Sequence, residues 1–179
     1  MTKTPLKRRA FLGATALTAL GLAQTGARKA LAGSDEAASE EFIYEIIRTE
    51  DEWRAMLSTE EYNILRKAST EMPETSPLWN NAADGTYTCR GCDLNLYTSV
   101  WKVAVPMGWA FFSQSRENAV LMGIDGEPPE AYPPESRFGA IIEAHCRRCG
   151  SHLGHVLTVE GKTLHCVNGT SLQFLPAAA

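Results

Sequence analysis

Past residue 32 the sequence contains no apolar run long enough to cross a bilayer, so the remainder is expected to be soluble. It is also short of positive charge. Of 17 Lys and Arg residues, six (Lys3, Lys7, Arg8, Arg9, Arg28, Lys29) precede residue 33. Eleven basic residues then face 21 acidic ones, a net of −10. Such a chain repels nucleic acid and anionic membranes, so neither is expected as a partner. The cysteines lack an even count. There are five, so at least one stays unpaired within the chain. Neither C-x-x-C pair is followed by histidine, which excludes a cytochrome-type haem attachment. No internal repeat appears beyond those two pairs.

The first 32 residues have the layout of a signal peptide. Met1 to Arg9 is basic, Phe11 to Ala23 is apolar and small-residue-rich, and Ala30-Leu31-Ala32 has the form of a cleavage site. Arg8-Arg9-Ala10-Phe11-Leu12 adds a twin-arginine pair, which predicts export to the periplasm by the twin-arginine route. A basic arm or uncleaved anchor is the plainer alternative. Residues 33–41 are acidic and small, and are expected to form a flexible lead-in. Residues 42–176 are then the folded domain, long enough for one real core.

Its elements change texture along the chain. Thr49-Glu50-Asp51-Glu52 and Ser58-Thr59-Glu60-Glu61 are capping boxes, predicting helices through Met56 and to about Ala68. Trp53, Met56, Tyr62 and Leu65 are assigned to packing. After Trp79 come short strand-like runs: Thr86–Cys89, Leu94–Tyr97, the aromatic run Trp109–Phe112, Ile141–Ala144 and Leu172–Phe174. Val156–Val159 and Thr163–Val167 flank Glu160-Gly161 as a hairpin. Residues 123–137, rich in Gly and Pro, are expected to form an irregular surface loop or lid. The sum is a mainly β domain with short N-terminal helices.

Cys89-Arg90-Gly91-Cys92 and Cys146-Arg147-Arg148-Cys149 have the spacing of a structural zinc site. Fifty-three residues separate the pairs, so one zinc per chain would staple distant segments together. Four thiolates leave no open coordination position. Two small disulfide loops, or a redox C-x-x-C, are the other readings of the same residues. Twin-arginine cargo folds before export, so the metal could be loaded under reducing conditions.

Cys166 is the cysteine left over. A lone cysteine in a strand is ordinarily a small buried hydrophobe. Against that stand His152 and His155, two histidines in one short Gly-containing loop that the hairpin could bring near Cys166. Asn168 offers a hydrogen-bond donor for an oxygen-bearing ligand.

Cys89-Arg-Gly-Cys92, Gly108-Trp109, Cys146-Arg-Arg-Cys149-Gly-Ser-His152-Leu-Gly-His155-Val156 and Cys166-Val-Asn168 resemble the B-type methionine sulfoxide reductases, which act on the R epimer. Thr49 through Trp79 resembles the front of that family, and the likeness covers about residues 43–176. It implies two antiparallel sheets with a structural zinc away from the catalytic cysteine. It implies that Cys166 attacks the sulfoxide sulfur and becomes a sulfenic acid. His152 and His155 would donate to the sulfoxide oxygen, Asn168 would hold the site in order, and Trp109, with Phe111 beside it, would receive the ε-methyl end of the substrate. The implied partners are oxidised proteins carrying methionine sulfoxide and an external thiol or thioredoxin-like reductant.

The sequence departs from the family in two places. Met107 stands at the usual resolving-cysteine position. Before the nucleophile, Leu164 and His165 stand where the family has arginine and tyrosine, and the family aspartate is replaced by Val159 or displaced to Glu160. Losing the arginine is expected to raise the Cys166 pKa. Two rival readings follow: a diverged zinc module that binds oxidised protein or a small sulfoxide without turnover, and a general thiol–disulfide oxidoreductase using a C-x-x-C pair.

Overall fold

The computed structural model describes residues 42–126 and 140–178. The expected leader, the lead-in and most of the 123–137 loop lie outside those residues.

Both capping boxes are formed. Thr49 caps α1 (Glu50–Met56) and Ser58 caps α2 (Thr59–Lys67); each hydroxyl accepts from the N3 amide, and each N3 glutamate answers the cap amide. Trp53, Tyr62 and Leu65 are buried as expected, but Met56 is 44% exposed. Leu57 takes the buried position at the end of α1, and Ile64 adds to the buried face of α2.

Among the described residues nine strands follow: β1 (Gly85–Cys89), β2 (Asn95–Thr98), β3 (Lys102–Val103), β4 (Ala110–Phe112), β5 (Val120–Ile124), β6 (Ile142–Cys146), β7 (His152–Val159), β8 (Lys162–Val167) and β9 (Leu172–Pro176). They form two antiparallel sheets, ordered β2-β1-β9 and β3-β4-β8-β7-β6-β5. The Glu160-Gly161 hairpin is present, with both turn residues at positive φ (49° and 76°), the conformation that matches strand twist in a two-residue turn. Two strands were not expected. β3 is only two residues long, and β5 runs through Gly123 and Ile124, where Gly-rich composition suggested loop.

The core joins α1 and α2 to both sheets. Tyr87, Leu96 and Tyr97 from the small sheet meet Ala110, Phe112, Leu153 and Val167 from the large one. Tyr97 stacks on Phe112 at 4.3 Å between ring centroids, a close aromatic pairing of fully buried rings. Among the described residues, no helix is long and apolar enough to cross a membrane.

Candidate active site and metal centre

Directly opposed residues of an antiparallel pair project to the same face. The large sheet therefore carries one row across it: Val103, Phe111, Cys166, His155, Glu143 and Gly123, on β3, β4, β8, β7, β6 and β5. Cys166 and His155 are neighbours in that row. His165 and Val167 point the other way, into the core. The His165 ring is buried there, with its Nδ1 3.1 Å from the Tyr97 hydroxyl, and burial pushes its pKa below the ordinary range. It cannot stand beside Cys166.

His152 and His155 lie in β7, not in a loop. Three residues apart, they would face opposite sides of a regular strand. A bulge corrects this. His155 faces Glu143 and His152 faces His145, so three steps on β7 match two on β6 and Leu153 is the extra residue. Both imidazoles thus share the Cys166 face, with ring centroids 5.3 Å apart. Asn168 braces the bulge. Its backbone N–H and its side-chain Nδ2 both donate to the Leu153 carbonyl, at 2.8 and 3.1 Å, and its Oδ1 accepts from the Glu71 amide at 3.0 Å. Asn168 is buried, so the donor expected to meet a ligand is turned to holding the backbone. Gly154 is required beside it: at φ +154°, a Cβ there would collide with the Cys166 carbonyl oxygen.

Each histidine has a carboxylate partner, and neither is at Val159 or Glu160, which sit at the hairpin turn. Glu143 Oε1 lies 2.6 Å from His152 Nδ1, and Asp125 Oδ2 lies 3.0 Å from His155 Nε2. The His152 bond holds the Glu143 carboxyl below its ordinary pKa. His152 Nε2 is buried and has no partner among the described residues. These acids escaped sequence reasoning because their strands, not their spacing, bring them to the histidines. Glu143 left one signal: an acid in the apolar run Ile141–Ala144.

Glu71 was also missed. It is buried at 4% exposure, and its carboxylate accepts from the Gly169 and Thr170 amides at 2.7 and 2.8 Å. Its carbonyl accepts from the Trp109 indole N–H at 3.2 Å. Trp109 is half-buried, whereas Phe111 is wholly buried and forms a floor next to Cys166. Burial and the Glu71 charge push the Cys166 thiol up to about 12. Met107 lies in the β3–β4 loop at 43% exposure.

The four remaining cysteines converge elsewhere. Cys89 ends β1, Cys146 ends β6, and the sulfurs of Cys89, Cys92, Cys146 and Cys149 all lie within 4.8 Å of one another, every one buried. Cys89 to Cys149 is 3.8 Å and Cys92 to Cys146 is 3.5 Å, far beyond a 2.05 Å disulfide. Sulfurs about 3.8 Å apart suit a tetrahedral ion with metal–sulfur bonds near 2.3 Å. Asp93 (φ 58°) and Gly150 (φ 67°) close the two knuckles through Asp93 N–H to Cys89 O and Gly150 N–H to Cys146 O, both 2.8 Å. The quartet has the donor set and spacing of a structural metal site, and it lies where the two sheets meet.

A β-domain that pairs a closed four-cysteine centre with a separate thiol ranked beside two imidazoles is a metal-knuckle fold carrying groups suited to sulfur chemistry. The comparisons narrow this. The SelR domain model matches residues 57–176. Over 135 residues the chain is 40% identical to peptide methionine sulfoxide reductase B3 of Arabidopsis thaliana, covering 73% of this chain and 70% of that one. It is 39% identical over 136 residues to peptide methionine sulfoxide reductase B5 of Oryza sativa subsp. japonica, covering 73% and 92%. It is 35% identical over 139 residues to peptide methionine sulfoxide reductase MsrB of Leifsonia xyli subsp. xyli, covering 74% and 93%. The chain belongs to the SelR family, that of the B-type methionine sulfoxide reductases.

Proposed function

We propose that this protein reduces the R epimer of methionine sulfoxide in oxidised proteins, with Cys166 as nucleophile. The observation that carries the reading is the cross-sheet row that sets Cys166 beside His155, together with the bulge that turns His152 to the same face.

The chemistry follows from the groups present. Cys166 rests as a thiol, because burial and Glu71 oppose its ionisation. Attack therefore needs a base, and an adjacent imidazole supplies one. The Cys166 sulfur attacks the sulfoxide sulfur. The thiol's proton, held on imidazole, passes to the sulfoxide oxygen, and that oxygen moves to the cysteine sulfur. One thiol and one sulfoxide give one sulfenic acid and one thioether, with two electrons taken from the cysteine sulfur. The half-buried Trp109 receives the apolar methyl end, held in place through Glu71. Phe111 lines the floor.

No second thiol stands near Cys166, since the other four cysteines belong to the metal quartet. An external thiol or thioredoxin-like protein then returns the sulfenic acid to thiol. The metal is zinc, held by Cys89, Cys92, Cys146 and Cys149; when bound it is a structural cross-link and takes no part in the reaction. The Arg8-Arg9 pair ahead of an apolar run supports export by the twin-arginine route, with the activity serving repair of periplasmic proteins.

The test is turnover of the two separated epimers by metal-loaded protein with excess dithiol, beside Cys166→Ser. Consumption of the R epimer alone, abolished by Cys166→Ser, supports the reading; undiminished Cys166→Ser activity refutes it. The high Cys166 pKa and the missing arginine favour one second reading, a family member that binds sulfoxides without reducing them. Binding without turnover of either epimer would establish it.

A further inference from the structure

The two histidines are gripped by opposite nitrogens. His155 is held at Nε2 by Asp125, on a half-exposed edge of the sheet. His152 is held at Nδ1 by Glu143, and its side chain is only 3% exposed. A buried ring nitrogen without a partner costs free energy unless a ligand meets it. His152 Nε2 is such an atom, and it lies on the Cys166 face.

We propose that Glu143 is a positioning residue: it grips His152 at Nδ1 and so presents Nε2 to the sulfoxide oxygen, making His152 the group that carries the proton from Cys166 to that oxygen. This rests on the reading of Cys166 as nucleophile. Glu143 bonded to Nδ1–H fixes the tautomer in which Nε2 is free to accept a proton. Once the ring is charged, the carboxylate stabilises it as it hands the proton on. The other ionisable groups around the pair are His145 on β6, Asp125 just after β5, His155 on β7, Cys166 on β8 and Tyr44 from the segment before α1. The His152 bond favours the Glu143 anion and burial opposes it; His145 adds to the first and Asp125 to the second, and the carboxyl stays below its ordinary pKa.

The grip depends on the bulge. In the ladder Glu143 stands opposite His155, yet its carboxylate bonds the ring of His152. Without Leu153 as the extra residue, His152 would face the core and Glu143 would have no ring to hold at Nδ1.

Four full-chain, metal-loaded proteins test this: the parent, Glu143→Gln, Glu143→Asp and Asp125→Asn. Glu143→Gln keeps an acceptor but removes the charge. It is expected to lower kcat on the R epimer about 10- to 100-fold, with KM within about twofold, as for loss of a charged partner behind a working imidazole. Glu143→Asp restores the charge and recovers part of kcat. Proton NMR of the imidazole N–H region gives a readout independent of turnover. A low-field His152 Nδ1 proton is expected in the parent and in Asp125→Asn, and is expected to be lost in Glu143→Gln. A kcat for Glu143→Gln within twofold of the parent, or survival of that proton signal, overturns the proposal. If the parent reduces neither epimer, the nucleophile reading has failed instead, and the NMR comparison still decides whether Glu143 holds His152.

Discussion

Cys166 stands directly opposite His155 on the β7–β8 ladder, and directly opposite Phe111 on the β4–β8 ladder. Opposed Cβ atoms are about 5 Å apart, so the thiol has an imidazole on one side and a buried phenyl ring on the other. One neighbour is a polar ring. The other excludes water and keeps the thiol neutral. The reactivity of Cys166 is the balance between them, and the strand register sets both.

That balance can be tipped from Leu164. Leu164 lies two residues before Cys166 in β8 and shares its face. Leu164→Arg would add a positive charge beside the thiol, lowering its pKa from about 12. Alkylation of Cys166 by iodoacetamide, followed against pH, is expected to reach half its maximal rate at lower pH in the variant. Turnover at neutral pH should rise with it. Leu164 is buried, so a thermal melt must accompany the comparison. An unchanged alkylation profile in folded variant would show that this position no longer addresses the thiol.

The paired cysteines, the helix caps and the β-hairpin were legible because each is local: spacing, a capping box, a two-residue turn. The site was legible only in its residue types. Nothing in the spacing of His152 and His155 shows that a bulge at Leu153 turns them to one face. Glu143, Asp125 and Glu71 were invisible as partners because each reaches its histidine or amide from another strand or loop. Met56 was assigned to the core by helical period, but α1 ends there and Leu57 turns inward in its place. β5 was missed because Gly123 and Gly126 read as turn residues, while its pairing to β6 decides its conformation.

The metal quartet ties β1 of the small sheet to β6 of the large one, far apart in sequence. Without an ion the quartet is four buried thiols, and among the described residues no disulfide joins the sheets. Prolonged treatment with a strong chelator is expected to release one ion per chain and lower the melting temperature by tens of degrees, or unfold the domain outright. Cys146→Ser should behave like the chelated parent. A melt unchanged by full metal loss would mean that the core alone holds the sheets.

Gly154 is predicted to be intolerant of any side chain. An added Cβ meets the Cys166 carbonyl oxygen, which is backbone and cannot swing away. Gly154→Ala should force β7 from β8 at the bulge, at a cost on the order of 2–4 kcal/mol. Urea unfolding measures the loss. Activity should fall further than stability, because the same displacement separates His155 from Cys166. Full activity in Gly154→Ala would contradict the tight β7–β8 approach.

Glu71 separates structure from charge most cleanly. Its two carboxylate oxygens each accept one backbone N–H, from Gly169 and Thr170. A glutamine at position 71 can satisfy only one of them and presents an N–H to the other. Glu71→Gln is therefore expected to lose about 1–3 kcal/mol of stability. The same change removes the negative charge that, after burial, helps push the Cys166 thiol up. Alkylation of Cys166 should then shift to lower pH even as the protein becomes less stable. A purely structural role would lower the melting temperature and leave the alkylation midpoint where it was. A midpoint that stays put, or rises, would show that burial alone keeps Cys166 protonated and that Glu71 acts only as the brace beneath Trp109 and Asn168.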